Sequence, residues 1–477
     1  MSQTMKALIP LVTAAIIWLL PVPQGLTPQA MAYVAIFVAV VLALIFEPIP
    51  SAAVGLVAVV FVSVLMLIPG AQGKPQTAVG MARWALAGLG NPTVVLIFAA
   101  YLLAMGYEKT GLGRRVAMHL MRLFGRRALG LAYAAALADC TLAPFIPSNT
   151  ARSGGLIFPV IKSIPPMYGS TPEHEPRKIG AFLMWLGICT AGVTSSMFLT
   201  GGSFNLLAAS IARDSFNVNV SWGGWFLAFL PMGIIIFVLN PLLAMIFYPP
   251  TQKEFPEVPK WAAEQLGKLG PMTRRELLMA FLSCTALLMW VFSSRVRIDP
   301  CITGLLVVVC MVLTGVVTWD DVISNKQAWN VYIWFATLLT MAGGLAQVGF
   351  LKWLSQYFTV LLEGYSVTMI MIGLLAFFFF THYFFASLIA HVTAILPICL
   401  TAAAAVPGLN MTHFFYLCGG MLGIMGVLTP YASGPNPIFF GSNYMSSKEF
   451  WSVGAIYGVI YFIIVLVVGI PYLRMVM

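Results

Sequence analysis

The chain has 477 residues, of which 60% are apolar and only 8% charged, and it carries a formal net charge of +10. Soluble globular proteins carry about 25% charged residues, so a soluble globular protein is excluded. The composition describes an all-α polytopic membrane protein, and β-barrel alternation is missing from the sequence.

Apolar runs close to the ~20 residues that a span needs predict helices at 7–21, 30–47, 52–68 and 92–108. The first run follows Lys6 as a signal peptide would, but no small-residue cleavage site comes after it, so it is read as the first span. Residues 69–91 are expected to form an outside loop, and 109–127 (KTGLGRRVAMHLMRLFGRR) an amphipathic helix on the inner surface. Next comes Pro144 to Pro165, PFIPSNTARSGGLIFPVIKSIP, a polar and proline-broken stretch inside an apolar chain. Lipid cannot hydrogen-bond free backbone groups, so such a stretch survives in a bilayer only where it is buried in protein or lines a wet cavity. It predicts a re-entrant hairpin with its tip at Ser148 to Gly155; a polar loop outside the membrane is the plainer alternative.

Further spans are expected at 179–204 and 225–248, then a polar linker at 249–275, then spans at 276–293, 301–318 and 329–348. An interfacial segment at 350–362, a second broken region at 366–406 and spans at 412–446 and 450–473 complete the chain. Lys109 to Arg127 holds six basic residues and no acid, and Lys253 to Arg275 holds five. Both stretches lie inside if an even number of spans separates them, and two fit. These loops are short and adjoin spans, which argues against nucleic acid as a partner and for the lipid bilayer. Seven cysteines show no C-x-x-C spacing and read as small core residues, with no metal or cofactor implied.

The second half echoes the first. Glu47-Pro-Ile-Pro50 returns as Arg297-Ile-Asp-Pro300, Lys109 to Leu112 as Gln347 to Phe350, and Ser148 to Arg152 as Ser387 to His391, at displacements of 250, 238 and 239 residues. Five spans separate the two surface helices, so the repeats are expected to be inverted, the build of many secondary transporters. The expected division is 1–127 as first-repeat scaffold, 128–220 as first transport region, 221–275 as span and linker, 276–362 as second scaffold, and 363–477 as second transport region with the last helix.

Each hairpin is followed by a broken span, at Thr200-Gly-Gly-Ser-Phe-Asn205 and at Ala432-Ser-Gly-Pro-Asn436. Four interruptions in symmetric pairs predict one pocket of hydroxyls, amides and helix ends, although a lone glycine pair in a span is more often close helix packing. The candidate binding residues are Ser148, Asn149, Thr150 and Arg152 on the first tip, Gly202, Ser203 and Asn205 at the first break, Ser387 and His391 on the second tip, and Ser433, Gly434, Pro435 and Asn436 at the second break. Arg152 and His391 occupy matching positions, and a cation at mid-membrane normally faces a cavity or a partner. A bidentate guanidinium suits carboxylates, so a small di- or tricarboxylate anion is the expected ligand. The plainer readings are that Asp139 pairs with Arg152, that His391 is a neutral core histidine, and that His382 and Tyr383 only line the second hairpin. No H-E-x-x-H, nucleotide loop or G-x-S-x-G elbow is present, so an enzyme is not expected.

APFIPSNTARSGG (143–155), GYEKTGLGRR (106–115), SNKQAWN (324–330), HYFFAS (382–387) and LTPYASGPNPIFFGS (428–442) resemble the divalent anion/sodium symporter family over nearly the whole chain. They are most similar to its branch of citrate/succinate and tartrate/succinate antiporters and plastid 2-oxoglutarate/malate translocators. The resemblance implies eleven spans plus two re-entrant hairpins, a homodimer in the bacterial inner membrane, and elevator transport with Ser148, Asn149 and Thr150 on one substrate carboxylate. Sodium-coupled relatives hold a sodium ion at each tip; here one would lie near Ser148, Asn149 and Asn205. The second tip departs from that pattern, with Leu388 and Ile389 where Asn and Thr would stand, and apolar side chains offer no ligand to a hard cation. The implied activity is sodium-independent exchange of citrate, tartrate, malate or 2-oxoglutarate for succinate, with ion-coupled symport or a carboxylate sensor as alternatives.

Overall fold

The computed structural model describes residues 2–70 and 76–476. Among them the architecture is all-α, and the only strand-like feature is an isolated antiparallel bridge between Arg127 and Glu254. Seven helices are long and apolar enough to cross a bilayer, and Lys326–Gln347 with Phe350–Leu361 forms a further candidate bent by 60°. Shorter apolar helices, among them Gln3–Leu19, Ser51–Val64 and Pro300–Leu313, fall where the sequence marks spans.

The expected hairpins are helical. Ala128–Leu142 leads into the first tip, and the chain returns through a π-helical turn, Thr150–Ile157, and two short helices, Phe158–Lys162 and Ile164–Met167. Val367–Phe380 leads into the second tip, and Leu388–Ala404 returns. The first broken span is Gly180–Met197, a turn at Leu199–Gly201, then Ser203–Phe216. The second is Met411–Ile424, a turn at Met425–Leu428, then the short helix Asn436–Phe440. Proline explains the interruption there: Pro430, Pro435 and Pro437 lack N–H donors, and Gly434 adds freedom.

Two stretches read as irregular contain helices. The expected outside loop at 69–91 includes Ala78–Leu86, capped by Thr77, while part of it lies outside the described residues. The inner linker contains Glu257–Leu269, whose Val258, Ala262 and Leu266 form a buried stripe at helical spacing. This stripe packs on the surface helix Leu112–Phe124, with Arg114 Nη2 donating to Gln265 Oε1 at 3.0 Å. Arg115 closes the junction through a buried ion pair, Nε to Glu276 Oε1 at 2.6 Å, and a bond from Nη1 to the Gly270 carbonyl at 3.0 Å. An average over the polar linker hides three buried apolar residues in a helix of thirteen.

The repeat is visible in bond patterns. Asn205 Nδ2 donates to the carbonyls of Ser195 (2.7 Å) and Phe198 (3.0 Å), ten and seven residues back. Asn436 Nδ2 donates to those of Gly426 (2.6 Å) and Thr429 (2.8 Å), again ten and seven residues back. Asn205 and Asn436 stand 231 apart, and so do Gly192 and Gly423, where the two broken spans cross. A Cβ on Gly192 would stand 2.8 Å from the Gly423 carbonyl oxygen, and one on Gly423 would collide with the Gly192 carbonyl. The Gly423 N–H donates to Ser196 Oγ at 2.9 Å across this crossing. Gly423→Val should therefore cost about 1–3 kcal/mol or more through overpacking, read as a lower melting temperature in detergent. An unchanged melting temperature would mean that the crossing is looser than described.

Candidate functional site

The first tip is built around a buried ion pair. Asp139, 1% exposed, lies in the last turn of the leading helix and accepts from Ser153 Oγ, from the Thr194 hydroxyl, and from Arg152 Nε at 3.2 Å. Arg152 is fully buried. Its Nη1 donates to the Ile146 and Gly201 carbonyls, each at 2.8 Å, and its Nη2 to Thr194 Oγ1 (3.2 Å) and Ser195 Oγ (2.8 Å). A guanidinium has five N–H donors, and all five are used on protein atoms. None is left to form a fork on a carboxylate, so Arg152 grips the tip from behind, and the plainer reading of its pairing with Asp139 matches this geometry.

Two further bonds pin this tip to the first break: Thr200 Oγ1 donates to the Pro144 carbonyl at 2.6 Å, and the Ser203 N–H to the Pro147 carbonyl at 2.9 Å. Gly202 there is extended, with φ −154° and ψ 135°. Ser148 and Ser203 lie together beside the hydroxyl of Tyr101, which comes from the helix Pro92–Thr110.

The same tip reaches the other repeat. Asn149 Nδ2 donates to Ser433 Oγ at 3.0 Å, across 284 residues of sequence. Opposite, Gly434 packs so close to Thr150 that a Cβ would strike the Thr150 hydroxyl. Pro435 follows in the turn in which the Asn436 N–H donates to the Ser433 carbonyl at 3.1 Å. The structure thus brings Ser148, Asn149, Thr150, Ser203, Ser433 and Gly434 together, with Asn205 and Asn436 holding the two breaks open behind them.

The second tip differs in chemistry. Ser387 caps Leu388–Ala404 by accepting from the Ala390 N–H at 3.4 Å. His391 is fully buried, with Nε2 3.2 Å from Thr381 Oγ1 and its ring centroid 4.8 Å from Phe378, 5.0 Å from Phe385 and 5.0 Å from His382. Phe378 stands 239 residues after Asp139, just as His391 stands 239 after Arg152. An ion pair in one repeat is an aromatic–histidine pair in the other. Sequence matching makes His391 the counterpart of Arg152, but the carbonyls say otherwise. Ala432, 231 residues after Gly201, accepts from His382 Nε2 at 3.0 Å. His382, with Tyr101, Thr194 and Ser195, is a site residue that sequence reasoning did not select; neither the 239-residue nor the 231-residue displacement carries Arg152 onto it.

The family description "Sodium:sulfate symporter transmembrane region" matches residues 1–477. The chain belongs to this family. It is 40% identical to the L-tartrate/succinate antiporter of Escherichia coli K12, the alignment covering 100% of this chain and 99% of that relative, and equally similar to the protein of the same name from Shigella flexneri. Its fold is similar to that of the Alcanivorax borkumensis YdaH transporter, with TM-score 0.55, 12% identity, and 88% and 96% of the two chains covered. Like other members of the sodium:sulfate symporter family, this chain is a transporter, and it is a multi-pass protein of the inner membrane.

The family name implies sodium, yet the donor set at the breaks fits it poorly. Sodium wants oxygen ligands. The Gly201 and Ile146 carbonyls take a guanidinium, and the Ala432 carbonyl takes an imidazole N–H. Asn205 Oδ1 at the first break and Thr429 Oγ1 at the second are exceptions, buried oxygens with no partner among the described residues.

Proposed function

We propose that the protein exchanges a di- or tricarboxylate for succinate across the inner membrane without sodium, by elevator movement of residues 128–220 and 363–477 against a scaffold within a homodimer. The observation that carries this reading is that nitrogen donors of Arg152 and His382 sit on the break carbonyls that a coupling cation would otherwise need. The full-length relatives named for L-tartrate/succinate antiport support the substrate class. In this reading Ser148, Asn149, Thr150, Ser203 and Ser433 face the anion, the backbone at Gly202, Gly434 and Pro435 lets it approach, and Ser387 supplies the N-terminal end of a helix from the second tip. Arg152, Asn205, His391 and Asn436 hold these groups from behind. Exchange needs no driving ion if the empty carrier cannot cross, and break carbonyls already bonded to Arg152 and His382 lessen the need for an ion to organise the site.

Purified protein in liposomes tests this. Labelled L-tartrate should enter vesicles loaded with succinate and should not enter vesicles loaded with buffer alone; equal entry into both would refute exchange. Asn149→Ala removes a donor to a charged group, worth about 1.5–3 kcal/mol, and should weaken apparent affinity for succinate by roughly 10- to 150-fold. The unpartnered Asn205 Oδ1 supports a second reading, symport with a cation bound at the first break. In that case a sodium gradient alone would drive uptake into empty vesicles.

A further inference from the structure

His382 and His391 form a pair of buried imidazoles beside the second break, and the exchange reading leaves the Nδ1 atom of each unused. Their tautomers follow from their partners. The Ala432 carbonyl can only accept, so His382 carries its hydrogen on Nε2. The Thr381 hydroxyl hydrogen is committed to the Phe377 carbonyl at 2.7 Å, so Thr381 Oγ1 accepts from His391 and Nε2–H is again the donor. Nδ1 of each ring is then a bare lone pair, and both are buried without a partner among the described residues. The two rings meet edge to face, centroids 5.0 Å apart, and both residues are fully buried.

Buried polar atoms are nearly always paired, and two orphaned lone pairs in one cluster call for a shared partner. Among the described residues no donor bonds either Nδ1. Phe378 and Phe385 flank His391. The titratable groups on the packed elements are Tyr33, Lys326, Tyr332, Lys352, Tyr357, Tyr383, Cys399, His413, Tyr416, Cys418 and, at the outer end of Ser203–Phe216, Arg213 with Asp214, and among the described residues none is hydrogen-bonded to either ring. Among the described residues no carboxylate is hydrogen-bonded to the pair, so a proton placed there is a net positive charge. That charge would lie one residue from Ser433, through Ala432, and Ser433 meets Asn149 of the first tip.

We propose that the His382–His391 pair takes up one proton when the site holds a trianionic tricarboxylate and none when it holds a dianion. The proton comes from the water on the side where the tricarboxylate enters, one Nδ1–H bond forms, and the proton returns to water on the other side as the substrate leaves. A trianion plus one proton then exchanges for a dianion without net charge movement. This inference rests on the exchange reading above and names how that site takes tricarboxylates.

The test uses the whole protein in liposomes loaded with succinate, with citrate or L-tartrate outside. About one proton should enter per citrate and none per L-tartrate, with citrate entry insensitive to membrane potential and falling as external pH rises. Histidine labelled with nitrogen-15 should show an Nδ1 resonance moving from bare acceptor to protonated on adding citrate and staying in place on adding succinate, assigned by His382→Gln and His391→Gln. Citrate entry that carries net charge, histidine resonances that ignore citrate, or a carrier that exchanges L-tartrate and refuses citrate would each overturn the proposal. So would an unchanged proton count per citrate in either variant, since the proton would then ride on the substrate. Failure of succinate to exchange with any anion would instead strike the exchange reading itself.

Discussion

Arg152→Gln should lower exchange at least a hundredfold and destabilise the folded protein by about 3–5 kcal/mol, the usual cost of leaving one member of a buried ion pair uncompensated. Asp139 would remain almost wholly buried with its charge unmatched. Two carbonyls, at Ile146 and Gly201, and two hydroxyls, on Thr194 and Ser195, would lose their shared donor. The tip and the first break would then part, because the guanidinium is what bonds to both. Combining Arg152→Gln with Asp139→Asn separates the two effects. The pair should recover most of the melting temperature, since no net charge remains buried, while exchange stays low because the Gly201 carbonyl is still abandoned. Exchange at the parental rate in Arg152→Gln would show that the guanidinium has no part in shaping the site.

Asn205→Leu and Asn436→Leu should each cost about 2–6 kcal/mol, because each strips the donor from two buried carbonyls at about 1–3 kcal/mol per group. The side chains are similar in size, so the loss is of hydrogen bonds and not of volume. Both breaks should close toward ordinary helix or loosen, and succinate affinity should fall in both variants. The two asparagines make the same pair of bonds at the same spacing, so the two losses should agree within a factor of about ten. A large effect at one and none at the other, by melting temperature and by binding, would contradict their equivalence.

Much of this was readable from residue order alone. Prolines and polar residues inside apolar runs located both hairpins and both breaks, since a bilayer tolerates free backbone groups only inside protein. The contact between Asn149 and the second break followed from pairing the interruptions. Burial of every Arg152 donor did not, because Thr194 and Ser195 lie on a different helix, more than forty residues away, with nothing local to mark them. His382 was hidden for a related reason. Hairpins repeat at 239 residues and breaks at 231, so a residue can match one partner in sequence and another in space. The helix Glu257–Leu269 was obscured by the charges that surround its narrow apolar stripe.

The most direct test of the claim that Arg152 and His382 stand in for a coupling ion at the breaks is counterflow of labelled succinate in proteoliposomes with sodium replaced by choline on both sides. The rate should be unchanged within a factor of about two from zero to saturating sodium, and uptake should vanish when internal succinate is omitted. A rate that rises steeply with sodium, or uptake into empty vesicles driven by a sodium gradient, would contradict it.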